Sequence, residues 1–398
     1  MMTCFVMWDR LELITGSSYT GRFPAHGENP MLASSLMIRV AALTVFVATF
    51  TGGVSGSAAE DGPTMAELDA DNPVRPIPGA YLGHQFAVTD LPAAPDPERA
   101  RLGRWLFYDT RLSFDGTLSC ASCHRPENAF SEPTPVSTGI RGQKGARKAP
   151  SFVNAVYAFY PETFWDGRAA SLEEQAIGPI ANPIEMGHTH EAVVAHIASV
   201  EGYGPFFEKA YGDPEVSLGR IAQSIADYER TRVSGNSRYD QWVVGDEEEE
   251  GYVSPLTEQE ILGEELFFGK ALCATCHVGS SFTDSRFHNL GVGWDAEKEE
   301  FADTGRFAVT GKDEDMGAFK TPGLREVTRH APYMHDGSIA TLREVVQHYV
   351  DGGIQNPWLS PKMEPVDLGD AEIQALVAFM EALEGEGWQD TAPELFPQ

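Results

Sequence analysis

Residues 118–132 read LSCASCHRPENAFSE and residues 272–284 read LCATCHVGSSFTD, so one pentad, Cys-x-x-Cys-His, occurs twice: Cys120, Cys123, His124 and Cys273, Cys276, His277. A Cys-x-x-Cys pair serves a disulfide, a zinc site or a covalent haem. The first two need no histidine fixed directly after the second cysteine in both copies. A c-type haem does: two thiols on one helical turn add to the porphyrin vinyl groups, and the adjacent histidine reaches the iron as proximal ligand. At this chain's cysteine and histidine content, chance matches to the pentad are expected on the order of 0.002 per chain. The sequence therefore carries two covalently bound c-type haems, with His124 on one iron and His277 on the other.

The surroundings repeat with the motifs. LGRWLF at 102–107 and LGEELF at 262–267 precede them, and a Phe-Ser/Thr-acid turn follows each. Leu102 with Leu106, and Leu262 with Leu266, fall at i, i+4 and are expected to pack one helix face on a haem edge. Helical periodicity recurs over 171–177, 218–230, 257–268, 341–350 and 370–383, and strand signals are sparse. The expected fold is all-α: two cytochrome c-like haem domains related by an internal repeat. The boundaries read as 1–59 for an upstream segment plus export signal, 60–96 for an N-terminal extension, 97–250 for the first domain and 251–398 for the second.

With 398 residues, 42% hydrophobic and 22% charged, the chain can bury two ordinary cores. Its formal charge of −30 repels nucleic acid and anionic lipid, which excludes a nucleic-acid role. Within about 37–59, Arg39 supplies a basic n-region, Val40 to Phe50 an apolar h-region, and Ser57, Ala58 and Ala59 the small residues of a cleavage site. The run is too short for a permanent membrane anchor. Translation is expected to begin at Met31 or Met37, and the mature chain to reach the periplasm. Cleavage removes Cys4 and leaves four cysteines, all of them in the two motifs.

Between the motifs lies FWDGRAASLEEQAIGPIANPIEMG, 164–187. Ser171 and Glu174 form a capping box that starts a helix, and Pro179 and Pro183 are expected to end it. Glu185, an isolated carboxylate among Pro, Ile and Met, is either a solvated turn residue or a group of raised pKa that shuttles protons. After the second motif, LREVVQHYVDGG (342–353) places Leu342, Val345, Val346 and Tyr349 on one apolar stripe. That stripe turns Tyr349 inward and leaves His348 on the outer face. The loop GDEEEEG, 245–251, reads as a solvated linker.

These residues resemble the bacterial di-haem cytochrome c peroxidase and MauG superfamily over roughly 97–384, in its MauG-like or MbnH-like branch. The resemblance rests on both haem motifs, FWDGRA, the spacing of Gln175, Pro179 and Glu185, FKTPGLREV (319–327) and APYMHDGSIATLREVVQHY (331–349). It implies that the haem on His124 meets peroxide, with Gln175 and Glu185 on its open face and Glu185 moving the proton. It implies that Trp165 lies between the haems and relays electrons. Fourteen residues after His335, where peroxidases of the family carry a methionine ligand to the second iron and MauG-like members a tyrosine, this chain has Tyr349.

Three departures bear on function. No histidine occurs between His124 and His188 to block the first haem, so it is expected open without prior reduction. The family's calcium site would involve position 148 with the carbonyls of His330 and Pro332, but position 148 is lysine, which cannot ligate calcium as an oxygen donor would; either the site is reshaped and still takes one calcium ion, or the ammonium replaces the ion's charge. The surface tryptophan of MauG corresponds to Ala271. The resemblance thus implies an exported haem peroxidase-type oxidoreductase that reacts with hydrogen peroxide and oxidises aromatic residues of a periplasmic partner protein through a high-valent haem pair. The alternatives are a peroxidase drawing electrons from a small cytochrome c or copper protein, and a di-haem electron carrier.

Overall fold

A computed structural model describes residues 62–398 apart from Phe159 and Glu247. The expected upstream segment and export signal lie outside the described residues. From Pro63 to Gln398 the chain forms one compact unit. Its helices are α1 Met65–Asp71, α2 Pro97–Tyr108, α3 Leu172–Ala181, α4 His190–Ser199, α5 Gly204–Tyr211, α6 Leu218–Arg230, α7 Arg238–Val244, α8 Glu258–Phe268, α9 Phe307–Thr310, α10 Leu342–Val350 and α11 Asp370–Glu381. The all-α expectation needs one amendment. Among the described residues four short strands, β1 Phe287–Asn289, β2 Trp294–Asp295, β3 Glu300–Phe301 and β4 Ala318–Lys320, form two antiparallel two-stranded ribbons, β1 with β4 and β2 with β3. They lie in a Gly-rich excursion whose positive-φ glycines, Gly291, Gly293, Gly305 and Gly317, leave room for no helix longer than the single turn of α9.

Two helix crossings build the two cores. A Cβ on Gly103 would sit 1.7 Å from the Ser224 carbonyl oxygen, and one on Gly263 would sit 2.0 Å from that of Ala375. Glycine in Leu-Gly-x-x-Leu-Phe is therefore what lets α2 touch α6 and α8 touch α11. The first crossing is sealed by Leu102, Trp105, Leu106 and Phe107, all fully buried, each contributing about 1.5–3 kcal/mol by area. The second is sealed by Leu266, Phe267, Leu376 and Phe379. Leu262 departs from expectation: it is exposed, because the Gly263 crossing turns its side of α8 to solvent.

The expected helices form, with local differences. The Ser171 hydroxyl accepts from Glu174 N–H, but the Glu174 carboxylate accepts from Ala170 N–H and so closes the box one residue early. α3 runs through Pro179 to Ala181 before turning. The packing also changes core away from residue 250. α7 belongs to the second core, where the Tyr239 ring meets the rings of Phe282 and Phe379 edge-on, with centroids 5.7 and 5.3 Å away. On the same helix, Asp240 takes a bidentate pair of 2.7 Å hydrogen bonds from buried Arg325.

At the other end the tail returns to the first core. Trp105 Nε1 donates to the Leu395 carbonyl at 2.9 Å, and buried Asp390 accepts from Arg104 at 2.9 Å and from the Tyr228 hydroxyl at 2.8 Å. Two further segments share one shape. Phe164 and Gly167 have positive φ inside a Thr163–Ala169 bridge, as Met334 and Gly337 do inside a Tyr333–Ile339 bridge. Trp165 and His335 occupy the same place in these two turns.

Candidate active site

Cys120–Ser122 forms a 3-10 turn started by Ser119, which brings the Cys120 and Cys123 thiols to one wall of a cavity of about 390 Å³. The same cavity is lined by His124, Gln175, Glu185 and Trp165. His124 donates from Nδ1 to the Phe130 carbonyl at 3.0 Å, and Phe130, in the left-handed region at φ 59°, aims that carbonyl. This bond fixes the tautomer and leaves Nε2 for a metal. Burial lowers the His124 pKa, keeping the ring in its neutral, ligating form. A mainly apolar cleft with two thiols and a neutral imidazole fits a covalently attached haem.

Polar groups line the same cavity. α3 projects Gln175, and the turn after it projects Glu185, whose carbonyl accepts from Ile140 N–H at 2.8 Å. Burial raises the Glu185 carboxyl above its ordinary pKa, against the charge of Arg168 and a hydrogen bond from Asn182. Trp165 is fixed at two points: its Nε1 donates to the Lys148 carbonyl at 2.8 Å, and its own carbonyl accepts from Lys320 N–H at 2.8 Å. Lys148 N–H in turn donates to the His335 carbonyl at 2.8 Å. Trp165 thus joins segments from both halves of the chain.

The second motif repeats the histidine geometry. Cys273–Thr275 is a 3-10 turn, and His277 donates from Nδ1 to the carbonyl of Phe282, φ 53°, at 2.8 Å. α10, started by a full capping box between Thr341 and Glu344, carries Tyr349 toward the two thiols. Burial, and then the charges that Cys276 and Cys273 would carry, push the phenol pKa upward. Leu342 and Val346 are buried on the same stripe. His348 differs from expectation: it is half-buried rather than outward, with Nε2 donating to the Leu290 carbonyl at 3.1 Å. The excursion that carries Leu290 folds back over α10, which the helical pattern alone could not disclose.

Residues 97–248 match the family described as di-haem cytochrome c peroxidase, and residues 261–384 match cytochrome c. The chain is 38% identical to the methylamine utilization protein MauG of Methylorubrum extorquens over 302 residues, 75% of this chain and 82% of that one. The chain belongs to the di-haem cytochrome c peroxidase and MauG family. It is likewise 36% identical to the cytochrome c551 peroxidase of Nitrosomonas europaea over 317 residues, 77% of this chain and 89% of that one. Among solved structures, that of a MauG-like protein associated with microbial copper homeostasis superimposes with a TM-score of 0.66 at 34% identity, covering 79% of this chain and 94% of that one. The protein is therefore a di-haem oxidoreductase with two cytochrome c-type domains. MauG and peroxidase names occur at similar identity, so the choice between them rests on the site.

Three features of this di-haem site were not singled out from sequence, and a fourth residue, Lys148, was singled out only as the occupant of the expected calcium position. Arg168 lies over the Phe164 ring at 3.5 Å and sets the charge facing Glu185. Glu229, on α6, lines the first cavity, is buried with Oε2 unpartnered among the described residues, and is pushed up to about 8 by burial. Asp284 and His288 meet at 2.8 Å beside Cys276. Lys148 is buried, and its ammonium donates to the Glu132 carbonyl. Burial lowers Lys148 to about 8. Lys148, His330 and Pro332 share a cavity of about 90 Å³, and His330 Nε2 there has no partner among the described residues. A buried cation where calcium requires an oxygen donor does not fit that ion. The cavity wall that Arg168 and Glu229 join, and the burial of Lys148, are made by segments far apart in the sequence, which residue spacing alone does not disclose.

Proposed function

We propose that this chain is an exported di-haem enzyme that reacts with hydrogen peroxide and oxidises an aromatic residue of a partner protein. The observation that carries this reading is Tyr349, a half-buried phenol beside the two thiols of the second motif. As an anionic, hard ligand, phenolate stabilises ferric and higher states, whereas a thioether suits a haem that accepts electrons. When bound, the haems supply the iron that meets peroxide and the reservoir that holds its two oxidising equivalents.

The side chains supply the rest. His124 and His277, oriented by the Phe130 and Phe282 carbonyls, would hold the irons through Nε2. Gln175, on the wall of the first cavity, would orient peroxide there. Glu185 would take a proton from one peroxide oxygen and give it to the other, so that water leaves, and its raised pKa makes it a better proton acceptor than an ordinary carboxylate. Trp165, hydrogen-bonded to Lys148 and flanked by both halves, relays electrons between the two sites. The shared turns at Phe164–Gly167 and Met334–Gly337, and the paired Gly103 and Gly263 crossings, support descent of the two domains from one repeated unit. Among the described residues no helix is long and apolar enough to cross a membrane.

The identity to a cytochrome c551 peroxidase favours a second reading, reduction of peroxide with electrons from a small redox protein. One experiment separates them: stoichiometric hydrogen peroxide is added to the resting ferric holoprotein without reductant. A long-lived spectrum holding two oxidising equivalents supports the proposal. Reaction only after prior reduction supports the peroxidase, and no reaction at all leaves an electron carrier.

A further inference from the structure

The half-buried His348 raises a question that the site leaves open: why a ring next to Tyr349 should be tied to a backbone carbonyl of the excursion. The bond runs from His348 Nε2 to the Leu290 carbonyl at 3.1 Å, and the His348 and Tyr349 rings stand edge-on with centroids 6.0 Å apart. One peptide further, the Gly291 carbonyl accepts from Trp294 N–H at 3.1 Å. Trp294 packs against Phe301 at 4.9 Å and against Trp358 at 6.0 Å, and Phe301 lies 6.4 Å from Trp358. Both indoles are half-buried, so each keeps an edge in solvent. Two hydrogen bonds and one peptide thus join the residue beside Tyr349 to a pair of surface-reaching tryptophans. Ala271, next to the second motif, is buried and carries no oxidisable ring.

We propose that Trp294 and Trp358 are the redox station at which oxidising equivalents leave the second haem site for an external electron donor. This rests on the proposed function. Tryptophan and tyrosine are the most readily oxidised aromatic side chains, and a packed indole pair shares the resulting charge. In each event Trp294 gives one electron toward the Tyr349 side and regains one from the donor, which also releases a proton. Two such events consume one hydrogen peroxide with two protons and yield two waters. The turn between β2 and β3 is exposed and carries Glu297 and Glu299 against Lys298, with exposed Glu300 opening β3, so a donor with a basic surface meets complementary charge there.

The test uses the holoprotein with stoichiometric hydrogen peroxide and no donor, followed by digestion and peptide mass mapping. With no donor to refill it, the station itself is oxidised: Trp294 or Trp358 gains oxygen in preference to buried Trp105, Trp242 and Trp388, and in preference to exposed Tyr160, which controls for solvent access. The His348→Leu variant, which removes the bridge to Leu290, lowers that labelling roughly tenfold, the effect of about 1.4 kcal/mol on a barrier. If the haem spectrum responds to peroxide but Trp294 and Trp358 gain no more oxygen than the controls, the station is refuted and the peroxide reaction stands. If the spectrum does not respond, the proposed function falls and the station with it.

Discussion

The two haem sites share a histidine held by a phenylalanine carbonyl, and they differ in what faces it. Around His124 there is a cavity of about 390 Å³ with Gln175 and Glu185 on its wall; beside the second motif there is the phenol of Tyr349. The proximal geometry is thus a common frame, and the opposing side chain divides the labour. A carboxyl of raised pKa with room beside it serves a reacting ligand, whereas a phenol next to the attachment thiols serves an electron-holding site.

Replacing the groups that differ should break this contrast one side at a time. Tyr349→Phe should abolish the low-spin ferric signal of the second site, read by electron paramagnetic resonance, while leaving the first site's spectrum in place. Persistence of the low-spin signal would show that another group is the ligand. Glu185→Gln should slow the peroxide reaction by about 10²–10⁴-fold, the usual worth of a positioned proton-transfer group. Its pH profile is diagnostic as well. The Glu185 carboxylate must be unprotonated to accept a proton, and burial raises its pKa, so the parent rate should fall with acid from a pH above about 4.3. Glu185→Gln should lose that limb.

Trp165→Phe sharpens the comparison by cutting the link between the sites. It leaves the Lys148 carbonyl without its donor, at a cost of about 1–3 kcal/mol in unfolding free energy, and slows redistribution of oxidising equivalents in stopped-flow traces. A variant with normal redistribution would remove Trp165 from the path. The smallest effect concerns calcium. Chelator treatment should leave the melting temperature unchanged, with no calcium found by elemental analysis. Lys148 has a pKa lowered to about 8, so the unfolded chain binds more protons between there and about 10.4, and stability should rise with pH across that window. In Lys148→Met that rise should shrink, as followed by urea unfolding.

Much of this was legible in the chain because its chemistry is local. Two pentads name their cofactor by spacing, and the Leu-Gly-x-x-Leu-Phe runs name their helices. Gln175 and Glu185 are ten residues apart yet reach one cavity, because a single helix and its terminal turn span that distance. Leu262 and His348 went the other way, since the face of a helix is settled by what crosses it: the α11 crossing at Gly263 exposes the first, and the Leu290 segment covers the second.

The sequence by itself determined which atoms can bind iron, since thiol, imidazole and phenol chemistry travels with the residue. Only the tertiary structure decided what surrounds them. It carries α7 into the second core and returns the tail to the first, and it sets Lys148 as a buried cation beside Trp165. Desolvation, charge and hydrogen-bond partners come from segments distant in the chain, so the pKa values of Glu185 and Lys148, and the route from Tyr349 to Trp294, exist only once those segments meet.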